Sequence, residues 1–419
     1  MKLKNIMGLF LVATVLGGCS SLDYDRLAME ELKNVRNAPR NIIETKTRLE
    51  LPLMKFGRDF AYTLAPAYIN FGVYPITNET SNKAFPLKIK GIILSAAAKL
   101  ISSPIAENKM GLIDLDLDFQ KDMYLYMLNN SSANPVFPMI FAGIEGSITE
   151  YEYMIETYED NSLDATVGGG STRTDLGAAY NKSSGVRMIT LDLNIKFKSP
   201  NEYNKLFALG YTSNSLIVQR KTKGKSFYLY VFGNGFSIGR DIFVSQSPSY
   251  ALRFLVEFSL IQLLGRANTV PYWHCVKSKN TDKLMMNYIA EDWEMKDKDE
   301  KLYYYSKLMR LFYGYYIAPL LTPAERERIT FDTRNTEEGK ANTLILLNLL
   351  SEYYGLTGDI YDLRNYTFIF NKTPMCGFPK DDKLAKFLKE KVGHKTFIYQ
   401  TSVPINESEL AIRKAILDW

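Results

Sequence analysis

A chain of 419 residues with 46% hydrophobic and 23% charged residues has the make-up of a folded protein of two or three domains and excludes a disordered one. Its net charge of +5 is spread without a basic block, which argues against nucleic acid as a partner. After the N-terminal leader no apolar run reaches the ~18 residues of a membrane helix, so only strands could carry the chain across a bilayer.

Lys2 and Lys4 precede an almost uninterrupted apolar run from Ile6, which ends in Leu16-Gly17-Gly18-Cys19. At ~11 residues the run has the length of a signal-peptide core. Two small residues before a cysteine suit a lipoprotein signal peptidase, which takes the chain extended and needs a free thiol to carry diacylglycerol. Residues 1–18 therefore read as a lipoprotein signal peptide, with Cys19 lipidated and the mature chain outside the cytoplasm. Ser20 and Ser21, in place of an aspartate, favour the outer membrane, with the body of the protein in the periplasm.

Residues 19–50 are polar and charged and read as a lipid-anchored tether. From Phe60 to Pro75 the β-branched and aromatic residues of YINFGVYPI predict a strand ahead of the turn-forming TNETSN. Leu87 to Ile101 predicts an amphipathic helix stopped before Pro104. In GLIDLDLDF, Ile113, Leu115, Leu117 and Phe119 alternate with Asp114, Asp116 and Asp118. Without the glycine and terminal glutamate of a calcium loop, this is a half-exposed strand. A helix from Gln120 to Leu128 and the small-residue strand MIFAGIEGSITEYEY complete an alternating α/β layer.

The middle of the chain changes character. A Gly/Ser/Thr-rich stretch from Thr166 runs into an alternating segment, with Ile189, Leu191, Leu193, Ile195 and Phe197 against Thr190, Asp192, Asn194 and Lys196. NKSSG reads as the turn between two arms, and a second block from Lys221 to Gln246 has FGNG as its turn. Hairpins at about 166–197 and 221–246, with arms of ~10 residues, are long enough to cross a bilayer when tilted. Four strands cannot close a barrel but four from each of several subunits can, which predicts a cyclic homo-oligomer. Arg173, Asp175, Lys225, Arg240 and Asp241 are then candidates to line its lumen. Ser247-Pro248-Ser249 opens a helix apolar enough to be buried and expected to stop at Gly265.

Past VPYWHC, the tyrosine-rich LYYYSKLMRLFYGYYIAPLL has helical spacing and reads as core, subunit interface or a binding face for a partner. Thr322 with Glu325 forms a capping-box signature, and ANTLILLNLLSEYYGL is a helix ending near Gly355. YTFIFNKTP and HKTFIYQTSVP read as strands flanking the helix DDKLAKFLKEKVG. With Cys19 lipidated, Cys275 and Cys376 remain in an oxidising compartment, either as a disulfide or as two buried thiols. His274 is no metal ligand, because the chain has two histidines and no second ligand pair. No Ser/His/Asp set, phosphate loop or catalytic carboxylate pair stands out, so neither an enzyme nor a cofactor is expected.

From roughly Phe71 to Trp273 the chain resembles the curli production assembly/transport lipoprotein family, the CsgG/HfaB-like outer-membrane secretion channels. The likeness lies in the order of VYPITNETS, FAGIEGSITEYE, TLDLNIKF, the second hairpin and SQSPSYALRFLVEFSLIQLL. It implies an α+β fold in which residues 51–275 form a periplasmic α/β domain whose two long β-hairpins are part of an oligomeric transmembrane β-barrel. Residues 276–419 would add a C-terminal α+β extension. The implied function is a non-catalytic homo-oligomeric pore in outer-membrane lipid for export or assembly of surface fibre or adhesin subunits. Phe85, followed by Pro86, falls where that family narrows its pore with an aromatic loop. The loop is shorter here and lacks the adjacent amide–aromatic pair, which implies a wider or filled pore. The alternatives are an assembly platform for a surface appendage with a plugged pore and a monomeric periplasmic binding lipoprotein.

Overall fold

The computed structural model describes residues 47–64, 68–80, 88–115, 141–155, 185–197, 205–220, 227–233, 236–245, 248–278, 280–393 and 396–400. The helix expected at Gln120–Leu128 lies outside them. Where the sequence suggests the end of a tether, Leu53, Phe56 and Phe60 recur at helical spacing and are buried on α1 (Glu50–Thr63). Pro52 sits in its first turn, where a missing N–H is tolerated. Gly57 is required for packing: a Cβ there would lie 1.9 Å from the Leu100 carbonyl oxygen, at the end of α2 (Lys90–Leu100).

The strand expected up to Pro75 is confined to β1 (Ile69–Val73), with β2 (Ile76–Asn78) and β3 (Lys88–Ile89) after it. A one-turn helix, α3 (Pro104–Glu107), is capped by Ser103 and leads to β4 (Met110–Asp114), parallel to β1. β5 (Ala142–Ile155) is the spine of the sheet. It runs parallel to β1 and β2 at its start and antiparallel to β6 (Gly185–Phe197) along its length, from Ala142↔Phe197 to Ile155↔Gly185. β6 is flanked on its other edge by β7 (Leu206–Arg220).

The expected first arm, from Thr166 to the NKSSG turn, lies outside the described residues; β6, its expected second arm, has both edges occupied, by β5 and β7. β7 itself carries no apolar alternation, because its inward positions include Gly210, Thr212 and Asn214. The second hairpin stands near its expected place, as β8 (Phe227–Gly233) and β9 (Phe236–Ser245). The sheet order is β3-β2-β5-β6-β7-β8-β9, with β1 and β4 off this path. The described sheet is open and closes no barrel within one chain.

Helix α4 (Pro248–Ala267) packs on β6 and β7 and is buried on every side, with Leu255, Val256, Phe258, Leu260, Ile261 and Leu263 all fully enclosed. It does not stop at Gly265. A Cβ there would meet the Tyr272 Cβ at 2.4 Å, so this glycine admits the next turn of chain and does not end the helix.

Beyond Cys275 the described chain is helical, which corrects the expected α+β extension. It forms α5 (Lys283–Met295), α6 (Lys298–Phe312, continued by a π turn at Tyr313–Ile317), α7 (Pro323–Arg328) and α8 (Glu337–Tyr354). α9 (Leu363–Lys372) and α10 (Asp382–Lys391) follow. YTFIF lies inside α9, where Tyr366, Ile369 and Phe370 are buried at helical spacing, and residues 396–400 form no strand. The Thr322–Glu325 capping box is made, and Gly355 closes α8 at φ +65°. Apolar side chains of the sheet, α4 and these helices belong to one continuous core.

One buried ion pair ties α4 to the helical part. Arg266 Nε donates to Asp282 Oδ2 at 2.6 Å with both side chains fully enclosed, and the Tyr272 hydroxyl donates to the same oxygen at 2.5 Å. Asp282→Ala leaves the guanidinium without its carboxylate and should cost about 3–5 kcal/mol, read as a lower urea midpoint. An unchanged midpoint would show that the pair has no hold on the fold.

Candidate functional site

Cys19, Phe85, Arg173, Asp175 and Lys225 lie outside the described residues. Arg240 and Asp241 fall in a bulge of β9. From Ile238 to Ile242 that strand advances four residues while β8 advances two, so simple alternation assigns neither to a lumen face. On β6 the alternation holds. Ile189, Leu191, Leu193 and Ile195 enter the core, while the opposite face is a polar ladder. On it Lys196 pairs with Glu145 at 2.7 Å, and the Thr190 hydroxyl donates to Glu150 at 2.9 Å and lies 2.8 Å from the Ser215 hydroxyl. No helix among the described residues is long and apolar enough to cross a membrane.

Cys275 follows a single 3₁₀ turn (Tyr272–His274), and Cys376 sits between α9 and α10; the two form a disulfide with Cα atoms 4.9 Å apart. α1 reaches this bond through Asp59, whose Oδ2 accepts from the Cys376 N–H and the Tyr315 hydroxyl, each at 2.5 Å. Burial raises the Asp59 carboxyl above its usual range, against the Arg58 guanidinium at 2.7 Å. His274 Nδ1 lies 3.1 Å from the Thr373 carbonyl, and burial lowers its pKa to about 4. This is a junction between α1 and the helical part. Among the described residues no cluster of three His, Cys, Asp or Glu side chains could hold a metal ion.

A cleft of about 450 Å³ opens against α6. Tyr303, Tyr304 and Lys307 of that helix face Asp292 and Lys296 on one side and Thr333, Arg334 and Lys340 on another. The Lys307 ammonium hydrogen-bonds to the Asn268 carbonyl at 3.3 Å and Thr269 Oγ1 at 3.4 Å, and lies 5.0 and 5.4 Å from the Tyr303 and Tyr304 ring centres. Burial first, then Arg334 and Arg310, lower its pKa to about 7. The Tyr304 hydroxyl donates to Asp292 at 2.6 Å, and burial with that carboxylate holds the phenol protonated far above its usual range. The sequence marks this helix as tyrosine-rich but not the cleft, because Arg334 and Thr333 come from a distant loop with no motif of their own.

No protein-family model matches the chain, and no curated protein matches it. Among solved structures the chain is similar to the lipoprotein GNA1162 from Neisseria meningitidis, at 11% identity over 37% of this chain and 85% of that one, with a TM-score of 0.18. A likeness at that score carries no argument about fold or function.

Two outcomes test the junction. The disulfide closes a loop with a sequence separation of 101, for which chain entropy gives about 4–5 kcal/mol. Reduction should therefore lower the melting temperature markedly, and Cys376→Ser should reproduce the loss. His274 is neutral in the folded chain and protonates on unfolding, so stability is full above pH 6.5 and falls as pH drops towards 4. His274→Asn should flatten that slope between pH 6.5 and 5 in urea titrations.

Proposed function

We propose that the chain is a non-catalytic outer-membrane lipoprotein, anchored through Cys19, whose strands join those of other copies in a homo-oligomeric β-barrel pore. Its cargo would be surface fibre or adhesin subunits, exported or assembled through a polar lumen. The observation that carries this reading is the β5–β6 ladder, which runs antiparallel from Ala142↔Phe197 and is still paired at Ile155↔Gly185. Residues 156–184 then supply length for two further arms of ~10 residues and a turn, enough to cross a bilayer obliquely. On this reading the first arm grows out of β5 and does not begin at Thr166.

A second observation supports closure by copies. The described sheet ends at β9, an edge strand, and a ring of identical sheets is one way to pair such edges. Transport would be passive, with cargo unfolded or small. Acyl chains on Cys19 would hold each protomer at the membrane and raise the local concentration for assembly.

Imaging of detergent-purified protein should show rings several protomers across; a detergent-free monomer would refute the reading. Conductance in planar bilayers then separates an open pore from a plugged one. Deleting residues 160–180 should abolish membrane insertion but leave the Cys275–Cys376 bond and the circular dichroism of the core in place. Cys19→Ala should weaken assembly without unfolding the chain.

A further inference from the structure

Seven of the side chains that line the α6 cleft carry a formal charge, and most are already matched. Lys296 lies 3.7 Å from Asp292 and 3.4 Å from Glu300, and Lys340 lies 3.5 Å from Asp299. Two cations are different. Among the described residues, Lys307 and Arg334 have no carboxylate partner: Lys307 has a carbonyl, a hydroxyl and two rings, and the Arg334 guanidinium stands 3.6 Å over the Tyr303 ring. Thr333, which is 4% exposed and also lines the cleft, keeps a hydroxyl with no hydrogen-bond partner among the described residues.

A half-buried lysine and an exposed arginine, each against aromatic rings and beside an unused hydroxyl, are a receptor for an oxyanion on a flat or apolar body. We propose that this cleft binds a small molecule carrying a phosphate, sulfate or carboxylate group, with the anion between Lys307 and Arg334 and its body against Tyr303 and Tyr304. The volume of about 450 Å³ is that of a small-molecule site and exceeds what a bare inorganic anion fills. The acidic side chains of the cleft are already engaged: Asp292 and Glu300 share Lys296, Asp299 meets Lys340, and Asp292 also accepts from the Tyr304 hydroxyl. The inference goes beyond the pore reading and does not depend on any strand entering a membrane.

Lys307 gives the site a pH dependence. The groups that act on it are Arg334 and Arg310, which lower its pKa to about 7 along with burial, and Asp292, which opposes them. An incoming anion favours the charged form, so binding should strengthen as pH falls through 7, by about tenfold between pH 8 and pH 6.

Benzenesulfonate is a suitable probe, because its charge is constant over that range, and inorganic sulfate is its control. Calorimetry on the full-length protein should show saturable benzenesulfonate binding, tighter than that of sulfate. Lys307→Met and the exposed Arg334→Met should each weaken it tenfold or more, and the pH dependence should vanish in Lys307→Met alone. Absence of saturable binding, equal affinity for sulfate, or an unchanged affinity in the folded Arg334→Met protein would each overturn the proposal. Ring imaging and conductance are separate readouts, so failure here leaves the pore reading standing, and the reverse also holds.

Discussion

A helix buried on every side must find partners for the charged groups it carries, and α4 sets the arrangement of the described layers around it through that demand. Glu257 is fully enclosed and meets Lys99 of α2 at 2.7 Å and the Thr47 hydroxyl. Ser259 accepts from Asn214 of β7 at 2.8 Å. Arg266 meets Asp282 ahead of α5 and also donates to the Tyr211 carbonyl at 3.2 Å. Each partner lies in a different layer: helix, sheet and C-terminal helices. An isolated buried charge costs several kcal/mol, so these contacts fix where α4 can sit along the sheet more sharply than apolar packing alone.

A second set of contacts repeats the logic at the start of the chain. α1 crosses α2 at Gly57 and reaches the helical part by Asp59 and by Arg310, which donates to the Thr63 carbonyl at 2.9 Å and the Phe331 carbonyl at 3.0 Å. Both ends of the described chain are thereby drawn onto one core, and the sheet is left with a helix-covered apolar face and a polar face. That division of faces is what a strand system needs if part of it is to continue into a second environment.

Much of this was legible from residue spacing. The alternation of β6, the second hairpin, the length of α4 and the caps at Thr322 and Gly355 all follow local rules that tertiary structure did not override. The failures have physical causes. β7 was invisible because Thr212 and Asn214 point inward, where the Asn214 amide donates to Ser259 of α4. YTFIF looked like a strand by composition, but Tyr366, Ile369 and Phe370 keep helical period. Gly265 looked like a stop and is a contact. At the candidate site, the cysteine pair could be singled out by arithmetic. The cleft could not, since its two unmatched cations come from separate elements and become a pair only after folding.

The bond between Cys275 and Cys376 also changes what a break in the chain means. Helices α5 to α9 lie between the two cysteines, including the link after α5, at whose end Met295 is 76% exposed. A protease that cuts there produces two termini but not two molecules: the pieces stay joined through sulfur and through a shared core. The helical part can therefore be nicked without being shed.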